Sequence, residues 1–145
     1  MGNSQSIIKI NFEDMQHVCK NKDQYLLLNT LPELEQGCLI KNTILAQSEV
    51  AIMDTFLKSN RAVKIIIYGK HCNDEHVEKK YHQLLKLGFS NVHIYGGGMF
   101  EWLLLQDIYG TDEFPTTSKQ SDHLKYKPGP LLGKVEQKMI MYSTF

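Results

Sequence analysis

A chain of 145 residues is one ordinary domain, long enough to bury a core without disulfides or metals. Sixteen Lys and Arg against sixteen Asp and Glu leave a formal net charge of +0, which excludes the basic footprint of a nucleic-acid binder, and Arg61 is the sole arginine. Cys19, Cys38 and Cys72 are an odd set at wide spacing, and no apolar run approaches the roughly 18 residues of a membrane span, so the composition predicts a soluble cytoplasmic protein with reduced thiols.

In chain order, "MGNSQS" (1 to 6) matches the N-myristoylation pattern, with Gly2 as acceptor once Met1 is removed and Ser6 at the hydroxyl position. One acyl chain binds a bilayer only marginally, so Gly2 would give a reversible, peripheral membrane association. "IIKI" (7 to 10) reads as a short strand. "NFEDMQHVCKN" reads as a helix capped by Asn11, with Phe12, Met15, Val18 and Cys19 on one face. "YLLLN" (25 to 29) is a continuous apolar run of the kind a central parallel strand shows. A loop with Pro32 and Gly37 leads to the apolar piece "CLI", and Ser48 starts a helix that carries Val50, Met53, Phe56 and Leu57 toward the core.

"VKIIIY" (63 to 68) is the strongest strand in the chain, β-branched and followed by turn formers. After a polar loop, Val77, Tyr81, Leu84 and Leu85 keep helical spacing, and Gly88 closes that helix. "NVHIY" (91 to 95) is the next strand. "GGG" (96 to 98) turns it into "MFEWLLLQDIY", a helix apolar on most of its surface and therefore expected to be well buried, with Trp102 in the core and Gly97 and Gly98 at angles closed to other residues. The alternation of strand and helix predicts an α/β fold. From Gly110 the period is lost, and 110–145 reads as a partly ordered C-terminal extension that holds Pro115, Pro128 and Pro130. Its ending, "VEQKMIMYSTF", is apolar enough to dock as a strand or short helix, and "YSTF" has the form of a PDZ-type ligand.

Residues 7–109 resemble the rhodanese-like family. The resemblance rests on "LLLN" before an acidic loop ending at Gly37, on "IIIY" before a polar loop, and on "LGFSNVHIYGGGMFEW". In that last piece Gly88-Phe89, Asn91-Val92 and Gly97, Gly98 and Trp102 fall where the family has Gly-Phe, Asn-Val and Gly-Gly-x-x-x-Trp. "GGMFEWLLLQDIYG" is also similar to rhodanese-like proteins of large viruses of eukaryotes. The resemblance implies a three-layer α/β domain with a central, mainly parallel sheet flanked by helices. It also implies sulfur transfer through a cysteine persulfide, or phosphate-ester hydrolysis in related phosphatases.

Three family positions are changed together. The nucleophilic cysteine should follow the tyrosine that ends the strand, where this chain has Gly69. The aspartate that ends the second strand is Asn29, and the His-Ile pair after Gly37 is Cys38-Leu39. Cys72 is the only thiol in the loop made of Gly69, Lys70, His71, Asn73, Asp74 and Glu75. Lys70, His71 and a helix N-terminus would favour its thiolate, whereas Asp74, Glu75 and Glu78 in the first turn would oppose an anionic donor. No arginine follows Arg61, so the bidentate phosphoryl clamp of the phosphatases is excluded.

Cys72 and His76, with His71, have the spacing of metal ligands but lack a fourth partner, so neither a metal nor a cofactor is implied. "GGG" is too short for a phosphate-binding fingerprint. The expected function is a binding or scaffolding module for an unidentified protein partner. The alternative is a sulfurtransferase that takes sulfane sulfur from a small donor through a persulfide on Cys72.

Overall fold

The computed structural model of the protein describes residues 7–132, so the motif at Gly2 and the ending "VEQKMIMYSTF" lie outside the described residues. Strands β1 (Lys9–Ile10), β2 (Tyr25–Asn29), β3 (Lys64–Tyr68) and β4 (Val92–Tyr95) form one sheet in the order β1-β4-β3-β2. Every pairing is parallel, with Leu27 opposite Ile66 and Ile66 opposite His93. Among the described residues four α-helices connect or follow them: α1 (Phe12–Lys20), α2 (Ala46–Ser59), α3 (Glu75–Leu87) and α4 (Gly98–Tyr109).

Successive side chains of a strand point to opposite faces, and β3 uses both. Ile66 and Tyr68 join Met15 and Val18 of α1 and Met99, Trp102 and Leu103 of α4 in one core. Ile65 and Ile67 join Met53 of α2 and Val77, Tyr81 and Leu84 of α3 in another. The fold is therefore three-layered, helices on both sides of a parallel sheet, which is why β2 and β3 read as unbroken apolar runs. The outer edge of β2 is covered by its own downstream loop, where the Ile44 N–H donates to Leu27 O at 2.8 Å.

Local signals fix two helix ends. Asn11 caps α1 in a reciprocal box: its side chain accepts from the Asp14 N–H at 3.0 Å, and the Asp14 carboxylate accepts from the Asn11 N–H at 3.1 Å. Gly88 ends α3 at φ 116, a left-handed angle open to glycine. The start of α2 corrects the expectation of Ser48. The helix begins at Ala46, whose N–H donates to Gln36 Oε1 at 3.0 Å, so the cap comes from a residue ten positions upstream. Val50 also departs from expectation and is 72% exposed, while Met53 is buried and Phe56 and Leu57 pack against the core.

Helix α4 is less enclosed than its composition predicts. It lies in an outer layer, so a stripe of Met99, Trp102, Leu103 and Gln106 is buried and Leu104, Ile108 and Tyr109 face solvent. The aperiodic segment after it completes the same core. Phe114 and Tyr126 are buried there, the Trp102 indole N–H donates to Pro115 O at 3.1 Å, and Gln106 Nε2 donates to Phe114 O at 2.8 Å.

Candidate functional site

In a parallel sheet with helices on both faces, ligand-binding loops gather at the carboxyl ends of the strands. Here Thr30 follows β2, the loop 69–74 follows β3, and Gly96 to Gly98 follow β4. The β3 loop leans on the amino end of α4. Gly69 O accepts from the Met99 N–H at 2.9 Å and Lys70 O accepts from the Phe100 N–H at 2.8 Å, filling donors that a helix start leaves free. The approach is close enough to require glycine at 98. Its φ is 66, and a Cβ there would stand 2.7 Å from Gly69 O and 2.8 Å from the His71 nitrogen. Gly97 departs from expectation, with an ordinary φ of −66.

The amino end of α3 is occupied as well, by the protein's own carboxylate. Asp74 caps the helix, accepting from the His76 N–H at 3.1 Å and pairing with the His76 ring at 2.9 Å, while its other oxygen accepts from the Lys70 N–H at 3.0 Å. Thr30 Oγ1 lies 3.4 Å from that second oxygen. Burial acts to raise the Asp74 carboxyl, but the hydrogen bonds from Lys70 and His76 prevail and hold it below its ordinary value. This carboxylate sits over Gly69. A Cβ at position 69 would come 2.4 Å from Asp74 Oδ2, 2.6 Å from Val77 Cγ2 and 2.7 Å from Thr30 Oγ1.

Cys72 stands apart from these groups. It lies in the turn from His71 to Asp74, closed by the Asp74 N–H donating to His71 O at 3.3 Å, and its side chain is exposed. Two of the loop donors go elsewhere, the Lys70 N–H to Asp74 and the Asn73 N–H to His71 Nδ1 at 3.1 Å. Lys70 Nζ reaches Glu35 at 3.2 Å, so its charge serves the opposite loop. Glu75 and Asn73 are exposed, and Cys72 opens on a groove of about 250 Å³ that Lys9, Glu75 and Glu78 also line. His71, Cys72 and His76 do not converge, and among the described residues no group of three or more His, Cys, Asp or Glu could hold a metal ion. The other two thiols are structural in their surroundings. Burial pushes the Cys19 thiol up to about 11, with Lys41 opposing, and Cys38 is buried with its Sγ donating to Ser118 O at 3.4 Å.

The changed second-strand position has a partner that sequence reasoning missed. Asn29 is buried and pairs with the amide of Gln36, while its Nδ2 also donates to Ile44 O at 3.2 Å and its Oδ1 accepts from the Leu31 N–H at 3.0 Å. The only signal was Gln36 itself, a residue with both a donor and an acceptor, next to Gly37. Nearby, the Tyr68 hydroxyl accepts from the Ile40 N–H at 3.1 Å and lies 2.7 Å from Thr43 Oγ1, anchoring the segment that contains Cys38-Leu39 to the end of β3.

No family model matches the chain, and no curated protein matches it. Solved structures do. The rhodanese-like domain of the Alr3790 protein from Anabaena superposes with a TM-score of 0.54 at 17% identity, covering 87% of this chain and 88% of that one. The single-domain sulfurtransferase RDL2 from Saccharomyces cerevisiae does so with a TM-score of 0.53 at 19% identity, covering 79% of this chain and 100% of its own. A protein from Lactobacillus plantarum gives 0.54 at 16%, covering 77% and 88%. With the parallel sheet in the order β1-β4-β3-β2 and helices on both faces, the chain has the rhodanese-like fold.

Proposed function

We propose that this chain is a rhodanese-like binding or scaffolding module in which catalysis has been given up. The observation that carries the reading is the Asp74 carboxylate, whose oxygen stands 2.4 Å from the point where a side chain on Gly69 would begin. The resemblance puts the family nucleophile at that residue. An anion of the protein's own therefore lies where a thiolate and an anionic donor would have to meet, and like charges at such range disfavour both. Several N–H groups near that point are also engaged, Lys70 and His76 with Asp74 and Met99 and Phe100 with the loop carbonyls.

The rival reading is a sulfurtransferase with its nucleophile at Cys72, favoured by the exposure of that thiol beside a groove lined by Lys9. Its thiolate would attack the outer sulfur of thiosulfate, forming a Cys72 persulfide as the donor S–S bond breaks and sulfite leaves. Cyanide would then remove the sulfur as thiocyanate and return the thiolate. Thiocyanate production by the purified parent and by Cys72→Ser separates the two readings, together with the mass of the protein after donor alone. The module reading expects equal, near-background rates and no added mass. A rate abolished by Cys72→Ser, with one sulfur atom gained on Cys72, would make the protein an enzyme.

No helix among the described residues is long and apolar enough to cross a membrane. A peripheral location through an acyl group on Gly2 is a proposal resting on "MGNSQS". Intact-mass measurement of protein made in a eukaryotic cell, with Gly2→Ala as control, tests it.

A further inference from the structure

The net charge of zero conceals an uneven distribution on α3. Lys79, His82 and Lys86 follow at spacings of three and four, so they share one face of the helix, and all three are exposed. They form the rim of a groove of about 720 Å³ between α2 and α3, with the buried Leu31 at its base. The groove contains one carboxylate, Glu49, and that charge is already matched. Lys80 Nζ donates to both of its oxygens, 2.7 Å to one of them, with the two side chains only 20% and 15% exposed. Neither Lys79 nor Lys86 has an ion pair among the described residues. The groove therefore combines a floor that includes Leu31 and Thr30, a wall held by the Lys80–Glu49 bridge, and a rim whose two lysines are free of ion pairs among the described residues.

We propose that this α2–α3 groove docks an acidic peptide segment of a protein partner, placing carboxylates on Lys79 and Lys86 and an apolar side chain toward Leu31. The proposal supplies the partner chemistry of the binding-module reading and rests on it. Lys79 and Lys86 are seven residues apart, about 10 Å along the helix, which about three residues of extended chain span. Charge complementarity then sets register and encounter rate. A bilayer is the poorer match, because a flat surface does not enter a groove whose charges line its rim. A nucleic acid is poorer still, since its backbone needs a broad basic surface and the sixteen Lys and Arg of this chain are balanced by sixteen Asp and Glu.

Fluorescence anisotropy of the full chain with a labelled Glu-Glu-Leu-Glu-Glu-Leu-Glu-Glu peptide tests the proposal, with a Gln-for-Glu peptide and phosphatidylserine vesicles as comparisons. Expected are saturable binding at low salt, loss of about tenfold in affinity for the Gln peptide, and a similar loss for the Lys79→Ala/Lys86→Ala variant. A peptide with lysine for glutamate should bind Lys79→Glu/Lys86→Glu and not the parent. Equal binding of the Glu and Gln peptides, indifference to both lysines, or lysine-dependent binding to the vesicles with none to the peptide would each overturn the proposal. Absence of peptide binding together with absence of thiocyanate formation removes the groove assignment and leaves the module reading intact, whereas Cys72-dependent thiocyanate formation removes the latter.

Discussion

The side-chain amides of Asn29 and Gln36 face each other and exchange two hydrogen bonds, Asn29 Nδ2 to Gln36 Oε1 at 3.1 Å and Gln36 Nε2 to Asn29 Oδ1 at 2.8 Å. Gln36 Oε1 also receives the Ala46 N–H, so the pair links the end of β2 to the first turn of α2. An aspartate, the residue the family resemblance leads one to expect at 29, has no donor for Gln36 Oε1 or Ile44 O. It would set a buried carboxylate against two acceptor oxygens. Asn29→Asp should therefore cost about 2 to 3 kcal/mol at neutral pH. Urea midpoints of parent and variant check this, and an unchanged midpoint would deny the pair any role in stability.

Adding a methyl at Gly69 should be costly, and part of the cost should belong to Asp74. The new Cβ would meet Asp74 Oδ2, Val77 Cγ2 and Thr30 Oγ1 at 2.4 to 2.7 Å. Gly69→Ala is expected to lose about 1 to 3 kcal/mol. In an Asp74→Ala background the same substitution should cost about 1 kcal/mol less, because one of the three obstructing groups is gone. Strict additivity in this cycle would place the carboxylate away from Gly69.

Asp74 also predicts a pH dependence. Its folded-state pKa lies below the ordinary 3.8, so its stabilising contribution is complete above that value and disappears as the pH falls through the lower folded one. Asp74→Ala should be about 1 kcal/mol less stable than the parent at neutral pH, the size of a lost helix cap. The difference should shrink once the pH drops below the ordinary value. Denaturant midpoints across that window test the sign, and a gap that widens toward acid would contradict it.

Trp102 tests the contribution of the segment beyond α4. The side chain is fully buried, packs edge-on to Phe114 with ring centroids 5.0 Å apart, and gives its N–H to Pro115 O. Trp102→Ala should cost about 3 to 5 kcal/mol, and Trp102→Phe, which keeps an aromatic ring but leaves Pro115 O without that donor, about 1 to 2. Thermal melts decide it. Near-parental stability of Trp102→Ala would remove the indole from the core.

The residues that sequence reasoning placed correctly are those whose environment is local or uniform. β3 is apolar throughout because both of its faces are covered, and Asn11 and Gly88 act within one helical turn of themselves. Ala46 was hidden because its cap is the distant Gln36, and Val50 keeps the apolar spacing of Met53 and Leu57 although nothing among the described residues covers it. Phe114 and Tyr126 lie in a stretch without period, where burial depends on how the chain returns to α4 and α1. At the candidate site, Asp74 was legible as a first-turn carboxylate. Its position over Gly69 was not, since that depends on the Lys70 N–H and the path of a four-residue turn.

The bonds from Met99 and Phe100 to the carbonyls of Gly69 and Lys70 give the β3 loop a reporter outside itself. Any excursion that lifts the loop from α4 must release these two amides, whereas fraying at the exposed turn around Cys72 leaves them closed. Their hydrogen exchange therefore measures opening of the loop as a unit, and partner or donor binding that clamps it would slow both amides together.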